Sequence, residues 1–128
     1  MAEDRIDPRA RAELIRAETA SGAASGETAT ADSSTITISL SASSGYIALN
    51  WTNTGVIGKY DYVALYDDVP TSYDGYLTRQ WQWVESENGI YVTGTAAGTG
   101  TSYWIAYAGW DYGSGEYVIE ATAGPFQP

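Results

Sequence analysis

The chain contains no cysteine and no histidine among its 128 residues. The missing cysteines exclude disulfides and thiolate chemistry, and the missing histidines exclude catalytic triads that use an imidazole base. Together the two absences remove the usual ligands of zinc and most iron sites. Composition alone therefore excludes every function that depends on one of these groups.

Basic residues are also scarce. Six Lys and Arg face sixteen Asp and Glu, so the net charge is -10, and after position 33 the only basic residues are Lys59 and Arg79. Such a chain cannot neutralise a run of phosphates, which argues against nucleic acid and anionic membrane as partners. Cationic partners and Ca²⁺ remain open.

Long apolar runs are missing as well. No stretch approaches the roughly 20 apolar residues of a membrane-spanning helix, and residues 1–20 lack the apolar core of a secretory signal. We expect a soluble chain, and the compartment stays open because a removed signal would leave the same sequence. The length predicts a single domain that buries about two thirds of its unfolded surface.

Residues 1–20 predict a helical arm. Asp7 before Pro8 favours a helix start, because Asp caps free amides and Pro loses no hydrogen bond at the first helical position; the helix should end near Ala20. Its narrow apolar stripe consists of Ile6, Ala10, Leu14 and Ala17, with Ile15 beside it. A helix of this length is marginal alone, so the stripe needs a surface to lie on.

Residues 21–34 predict a flexible linker. The sequence SGAASGETATADSS consists of small and polar residues that bury too little area to offset the entropy of ordering. Fully extended, these 14 residues would span up to ~46 Å. The arm could therefore dock on its own body or on a neighbouring copy, and the sequence leaves both open.

Residues 35–128 predict an all-β domain. Short segments alternate apolar and polar residues and are separated by glycine-rich turns at Asn88-Gly89, 98–100 and 113–115. The predicted strands are Thr35–Ala42, Gly45–Asn53, Tyr60–Tyr66, Tyr76–Trp83, Ile90–Thr95, Thr101–Gly109 and Glu116–Thr122. Seven strands at this spacing are typical of an antiparallel, immunoglobulin-like sandwich. In the third strand both faces carry apolar or aromatic residues, as in a central strand that is buried on both sides.

Three of these segments resemble a known type of domain. The first is Asp61-Tyr62-Val63-Ala64-Leu65-Tyr66, the second is Tyr76 with Trp81 through Val84, and the third is Tyr103-Trp104-Ile105-Ala106-Tyr107. Their order and composition resemble SKICH-like, immunoglobulin-type sandwich domains over about residues 34–126. The resemblance implies a non-catalytic accessory or protein-docking module.

Five Trp and eleven Tyr exceed what one small core needs, so some rings should be exposed. The densest candidates are Trp110-Asp111-Tyr112 and Tyr73-Asp74-Gly75-Tyr76. Tyr and Trp dominate protein interfaces, and a ring beside a carboxylate is also the chemistry of sugar binding. The third interpretation is that these rings fold back and close the ends of the sandwich.

The acidic residues predict little chemistry. Asp67, Asp68 and Asp74 share one loop, and Asp111 could approach them, so a Ca²⁺ site is conceivable, although the spacing of a Ca²⁺ loop is absent. Acidic clusters of this kind are usually solvated. Glu85 and Glu87 are too close in sequence for an acid and base pair across a cleft.

The sequence therefore predicts a non-enzymatic interaction or assembly module without a cofactor that forms a homo-oligomer or binds a protein partner. The predicted contact residues are Ile6, Leu14, Ile15, Tyr73, Tyr76, Trp110 and Tyr112. The first alternative is a small carbohydrate-binding module that uses Tyr73, Asp74, Trp110, Asp111 and Tyr112. The second alternative is a membrane-active sandwich, which the mixed charge of the arm disfavours.

Overall fold

A computed structural model describes residues 7–20, 35–111 and 113–127, with the side chains of 17–20 left out. Within these ranges the chain is mostly β-structure with one helix. The elements are α1 (Pro8–Ala20), β1 (Ile36–Ser43), β2 (Tyr46–Asn53), β3 (Tyr62–Tyr66), β4 (Trp81–Trp83), β5 (Asn88–Ala96), β6 (Tyr103–Asp111) and β7 (Glu116–Phe126).

The strands form two antiparallel sheets, one in the order β1-β2-β5 and one in the order β4-β3-β6-β7. The main core draws its side chains from both sheets, so it lies between them. On the three-stranded sheet, Ile36 and Ile38 of β1 and Leu49 of β2 point inward, as their alternation predicts. Val63 and Ile105 face them from the four-stranded sheet. This is the all-β, sandwich-like architecture that the sequence predicts.

The four-stranded sheet is buried on its outer face as well, because α1 packs there. All five residues of β3 are buried, which confirms the prediction of a strand covered on both sides. Val63 and Leu65 belong to the core between the sheets, whereas Tyr62, Ala64 and Tyr66 belong to a second cluster with residues of α1. The molecule therefore has three layers, namely a helix and two sheets.

The helix begins where the sequence predicts, and the Asp7 carboxylate accepts a 2.8 Å hydrogen bond from the Arg9 amide as an N-cap. Its buried face differs from the prediction. Pro8, Ala12 and Ile15 are buried, at i, i+4 and i+7 spacing, whereas Leu14 is 43% exposed. The sheet beneath is filled with large rings, so the face of α1 with the small residues makes the closer contact.

Several strand boundaries also differ from the prediction. Residues 76–80 do not extend β4, because Arg79 has a positive φ of 69° and the Gln80 amide donates to the Leu77 carbonyl in a turn. β6 continues to Asp111, so Trp110 lies in a strand rather than in a hairpin loop. β5 begins at Asn88, so Asn88-Gly89 is not a turn.

Gly89 lies inside β5 because the Trp51 ring takes up the space that a side chain would need. A Cβ at Gly89 would lie 2.0 Å from a carbon of that ring. We expect Gly89→Ala to lower the free energy of unfolding by ~1–3 kcal/mol, because the buried indole must shift. The measurement is urea denaturation followed by Trp fluorescence.

Gly94→Ala is the matched control on the same strand. Its Cβ would approach the Gln80 amide no closer than 3.8 Å, which is ordinary contact. Equal losses of stability in the two variants would contradict this account of Gly89.

Candidate functional site

The outer side of the four-stranded sheet carries a cluster of large rings, which we call the aromatic face. It consists of Tyr62, Tyr66, Tyr76, Trp81, Trp110 and Tyr117. Tyr62 is fully buried at its centre and makes edge-to-face contacts, at 6.0 Å to Tyr76 and 5.0 Å to Tyr117 between ring centroids. Trp110 meets Tyr117 at 5.1 Å in the same way. Such contacts stabilise a ring cluster beyond the area that it buries.

The hydroxyl groups of this face hold the loop between β3 and β4. Tyr62 donates to the Tyr73 carbonyl at 2.7 Å, and Tyr66 donates to the Ser72 carbonyl at 2.9 Å and to the Tyr73 carbonyl at 3.0 Å. Burial raises the pKa of the Tyr62 and Tyr66 hydroxyls, so both remain neutral donors. The loop is therefore attached to the sheet through its backbone.

Three arginines of α1 lie on rings at the edges of this face. The Arg9 guanidinium is 4.2 Å from the centroid of Tyr76, and those of Arg11 and Arg16 are 5.3 and 5.7 Å from the centroids of Tyr60 and Trp110. Guanidinium groups stack on aromatic rings in this way. Half of the six basic residues of an acidic chain are thus used to place α1.

Two of these arginines also donate hydrogen bonds to the loops. Arg9 reaches the Asp74 carbonyl at 2.7 and 3.0 Å and the Tyr76 carbonyl at 3.1 Å, and Arg16 reaches the Gly115 carbonyl at 3.2 Å. The Tyr76 hydroxyl in turn donates to the Asp7 carboxylate. These polar contacts attach the helix to the loops at its first turn and again at Arg16, which the narrow apolar stripe alone would not do.

The structure revises the predicted contact residues. Ile15, Tyr76 and Trp110 are at most 3% exposed, because the helix and the sheet cover one another, so none of them presents a free surface in this conformation. Tyr73 is half-buried and Leu14 is exposed. Ile6 and Tyr112 lie outside the described residues.

Exposed apolar side chains occur elsewhere, on the outer face of the three-stranded sheet. Ile90 and Val92 of the edge strand β5 are 60% and 44% exposed, and Tyr46 of β2 is 46% exposed. Val92 pairs with Ala48, which is two residues from Tyr46, so the three side chains share one face. The alternation of Ile90 and Val92 is the signal in the sequence for this surface, whereas most of the predicted contact residues are tyrosines and tryptophans of other segments.

A polar cluster lies inside the sandwich. The buried Tyr107 hydroxyl donates to the Asp61 carboxylate at 2.5 Å and accepts from the Asn53 side-chain amide at 3.0 Å. The Gly58 amide donates to the same carboxylate at 2.9 Å. Burial raises the pKa of Asp61, although its hydrogen bonds to Tyr107 and Gly58 oppose that rise.

A second carboxyl group approaches this cluster over Gly109. A Cβ at Gly109 would lie 2.6 Å from one Glu120 oxygen and 2.8 Å from one Asp61 oxygen, so only glycine leaves room for both. Both Glu120 oxygens are shielded from solvent and have no hydrogen-bond partner among the described residues. Burial, then the charges of Asp61 and Asp111, raise the pKa of Glu120 to about 8.

The predicted Ca²⁺ ligands do not come together in the described part of the chain. There, no group of three or more Asp or Glu residues is placed to hold a metal ion. The Asp68 carboxylate instead accepts from the Val69 amide, that of Asp74 from the Ser72 hydroxyl, and that of Asp111 from the Gly113 amide. Asp67 is exposed. The carboxylates of Asp68, Asp74 and Asp111 therefore accept hydrogen bonds from residues of their own loops.

Comparison of the chain with protein-family models, with curated proteins and with solved structures finds no match. The residues that the structure describes include no helix with the length and apolarity needed to cross a membrane.

Glu120 should make stability depend on pH. Its pKa is raised in the folded state, so the folded chain keeps a proton that the unfolded chain releases above about pH 4.5. The stability that this group contributes is therefore fully present below about pH 4.5 and is lost as the pH rises through about 8. We expect Glu120→Gln to raise the free energy of unfolding at pH 9 by about 2 kcal/mol, a value discounted for solvent screening. Urea denaturation from pH 4 to pH 9 measures it.

Glu116→Gln, an exposed position on the same strand, is the control for removing one negative charge. The account of Glu120 is wrong if both variants change stability equally, or if the Glu120 variant keeps the full decline between about pH 4.5 and pH 8.

Proposed function

We propose that this chain is a non-enzymatic assembly module in which α1 of one copy docks on the aromatic face of a second copy. The observation that supports the proposal is the contact between α1 and this face. Arg9 and Arg16 contact residues 65 and 99 positions away in sequence, whereas only residues 21–35 connect α1 to β1. Because identical copies carry identical faces, every contact that α1 makes on its own body is available on a partner.

The energy of the helix contact is compatible with exchange. Among the large apolar side chains of α1, Ile15 is the buried one, and its burial contributes ~1.5–3 kcal/mol. A 13-residue helix is marginal by itself, so α1 depends on the surface that it covers. Docking on a partner retains these contacts and costs mainly the entropy of association, which a reciprocal exchange of two arms reduces.

The strand order supports the immunoglobulin-like interpretation of the body. The three segments that resemble SKICH-like domains lie at β3, β4 and β6, which are neighbours in the four-stranded sheet. Seven strands in two antiparallel sheets are typical of that architecture. Modules of this type commonly act by docking, which agrees with an assembly role.

The exposed strip of Tyr46, Ile90 and Val92 is a further contact surface in this proposal, in place of the buried rings. β5 carries no charged residue, and it is the edge of its sheet. In a chain of net charge -10, two copies repel each other least where no charge lies. An uncharged edge strand is also a template for pairing, and on β5 the Gly94 amide already donates to the Gln80 side chain at 2.7 Å.

We expect the full chain to form an oligomer. The variant Ile15→Asp should have the monomer mass of 13.7 kDa, because a buried carboxylate cannot be accommodated against the aromatic face. Sedimentation velocity with multi-angle light scattering measures the mass. It also separates a monomer from the aggregates that an uncovered aromatic face would cause.

Leu14→Asp is the matched control, because the neighbouring side chain is exposed on the same helix. It should keep the oligomer, and a synthetic peptide of residues 1–20 should dissociate it by competing for the aromatic face. A monomeric full chain, or an oligomer that survives Ile15→Asp, would rule out assembly through the arm.

A further inference from the structure

An open cleft of about 620 Å³ lies where three elements meet. Arg16 of α1 forms one wall, residues 71–74 of the β3–β4 loop form the second, and the start of β7 from Glu116 to Ile119 forms the third. The volume falls within the range of small-molecule sites. The contacts described above do not fill this cleft, and assembly through α1 does not use it.

The cleft has one rigid aromatic surface. The half-buried Tyr73 ring lies on the buried Tyr117 ring, with centroids 5.3 Å apart and planes inclined by 34°. The Tyr73 carbonyl accepts from the Tyr62 and Tyr66 hydroxyls, which holds its backbone to the sheet. A ring fixed in this way can cover an apolar ligand face without a large loss of side-chain entropy.

Polar groups of several kinds surround this ring. Asp74 and Glu116 supply carboxylate acceptors, Thr71 supplies a hydroxyl group, and Arg16 supplies guanidinium donors. The Ser72 hydroxyl already donates to the Asp74 carboxylate, so it orients that acceptor. The Arg16 side chain is oriented by its hydrogen bond to the Gly115 carbonyl. Donors and acceptors therefore converge beside an aromatic surface within one cleft.

These groups select a class of ligand by charge and shape. Two carboxylates in a chain of net charge -10 disfavour phosphates and other anions, and Arg16 in the same cleft disfavours a simple cation. A neutral ligand with many hydroxyls and one apolar face matches both the ring and the polar groups. We propose that this cleft binds a neutral saccharide, at the scale of one or two sugar units.

This site differs from the one that the sequence predicts for a glycan. Tyr73 and Asp74 belong to both, but the buried Trp110 cannot take part, and Arg16, Glu116 and Tyr117 come from segments that the sequence pattern did not connect. The proposal goes beyond assembly and is independent of it. Arg16 occupies the same wall whether α1 belongs to the same copy or to an exchanged one.

The test uses the full chain labelled with ¹⁵N and titrated by NMR with glucose, galactose, mannose, N-acetylglucosamine and their β-linked disaccharides, up to about 20 mM for weak binding. At least one sugar should shift the amide signals of Asp74, Glu116 and Val118 in a saturable way. Inorganic phosphate should not shift them. No saturable shift with any of these sugars, or a response to phosphate alone, would overturn the proposal.

Variants locate the binding. Tyr73→Ala should weaken it about tenfold or more, since it removes the stacking surface but keeps the backbone carbonyl that Tyr62 and Tyr66 contact. Glu116→Gln, on an exposed side chain, should weaken binding with the fold intact. Tyr46→Ala, an exposed tyrosine on the other sheet, is the matched control. Equal losses in Tyr46→Ala and Tyr73→Ala would place the binding elsewhere and refute the cleft.

Discussion

The burial of the four-stranded sheet on both faces is the constraint on which the rest of the structure depends. β3 has no exposed residue, and its Val63 and Leu65 face the other sheet while Tyr62 and Tyr66 face the helix. A sheet whose outer face carries so many rings must be covered, because the exposed apolar area would otherwise be large. In the described structure α1 provides that cover, and this explains why a short, weakly apolar helix has a defined place.

The same constraint determines how the helix is held. The large rings leave room for Ala12 and Ile15 of the helix but not for a row of larger apolar side chains. Arginine stacking and hydrogen bonds to loop carbonyls therefore supply much of the remaining contact. Such contacts are directional and partly solvated, and they stabilise less than a deep core does. A helix attached in this manner is well suited to changing partners, which is the physical basis of the proposed assembly.

Between the two sheets, unlike on the aromatic face, polar groups take the place of part of the apolar packing. Tyr107 joins Asn53 to Asp61 in a satisfied network, whereas Glu120 approaches it with both oxygens shielded and without a hydrogen-bond partner among the described residues. Buried carboxyl groups of this kind lower stability unless they keep a proton. Gly109 makes the approach possible because it has no side chain.

The sequence alone determined the elements that depend on local pattern. These include the helix start at Asp7-Pro8, the alternation that buries Ile38 and Leu49, and the turn at 113–115, where Gly115 has a positive φ. Only the tertiary structure decided which rings are exposed, which face of α1 is buried, and which distant residues form the cleft beside Tyr73. Periodicity indicates on which face of a strand a side chain lies. Whether that face is exposed to solvent depends on whether another element, distant in sequence, packs against it.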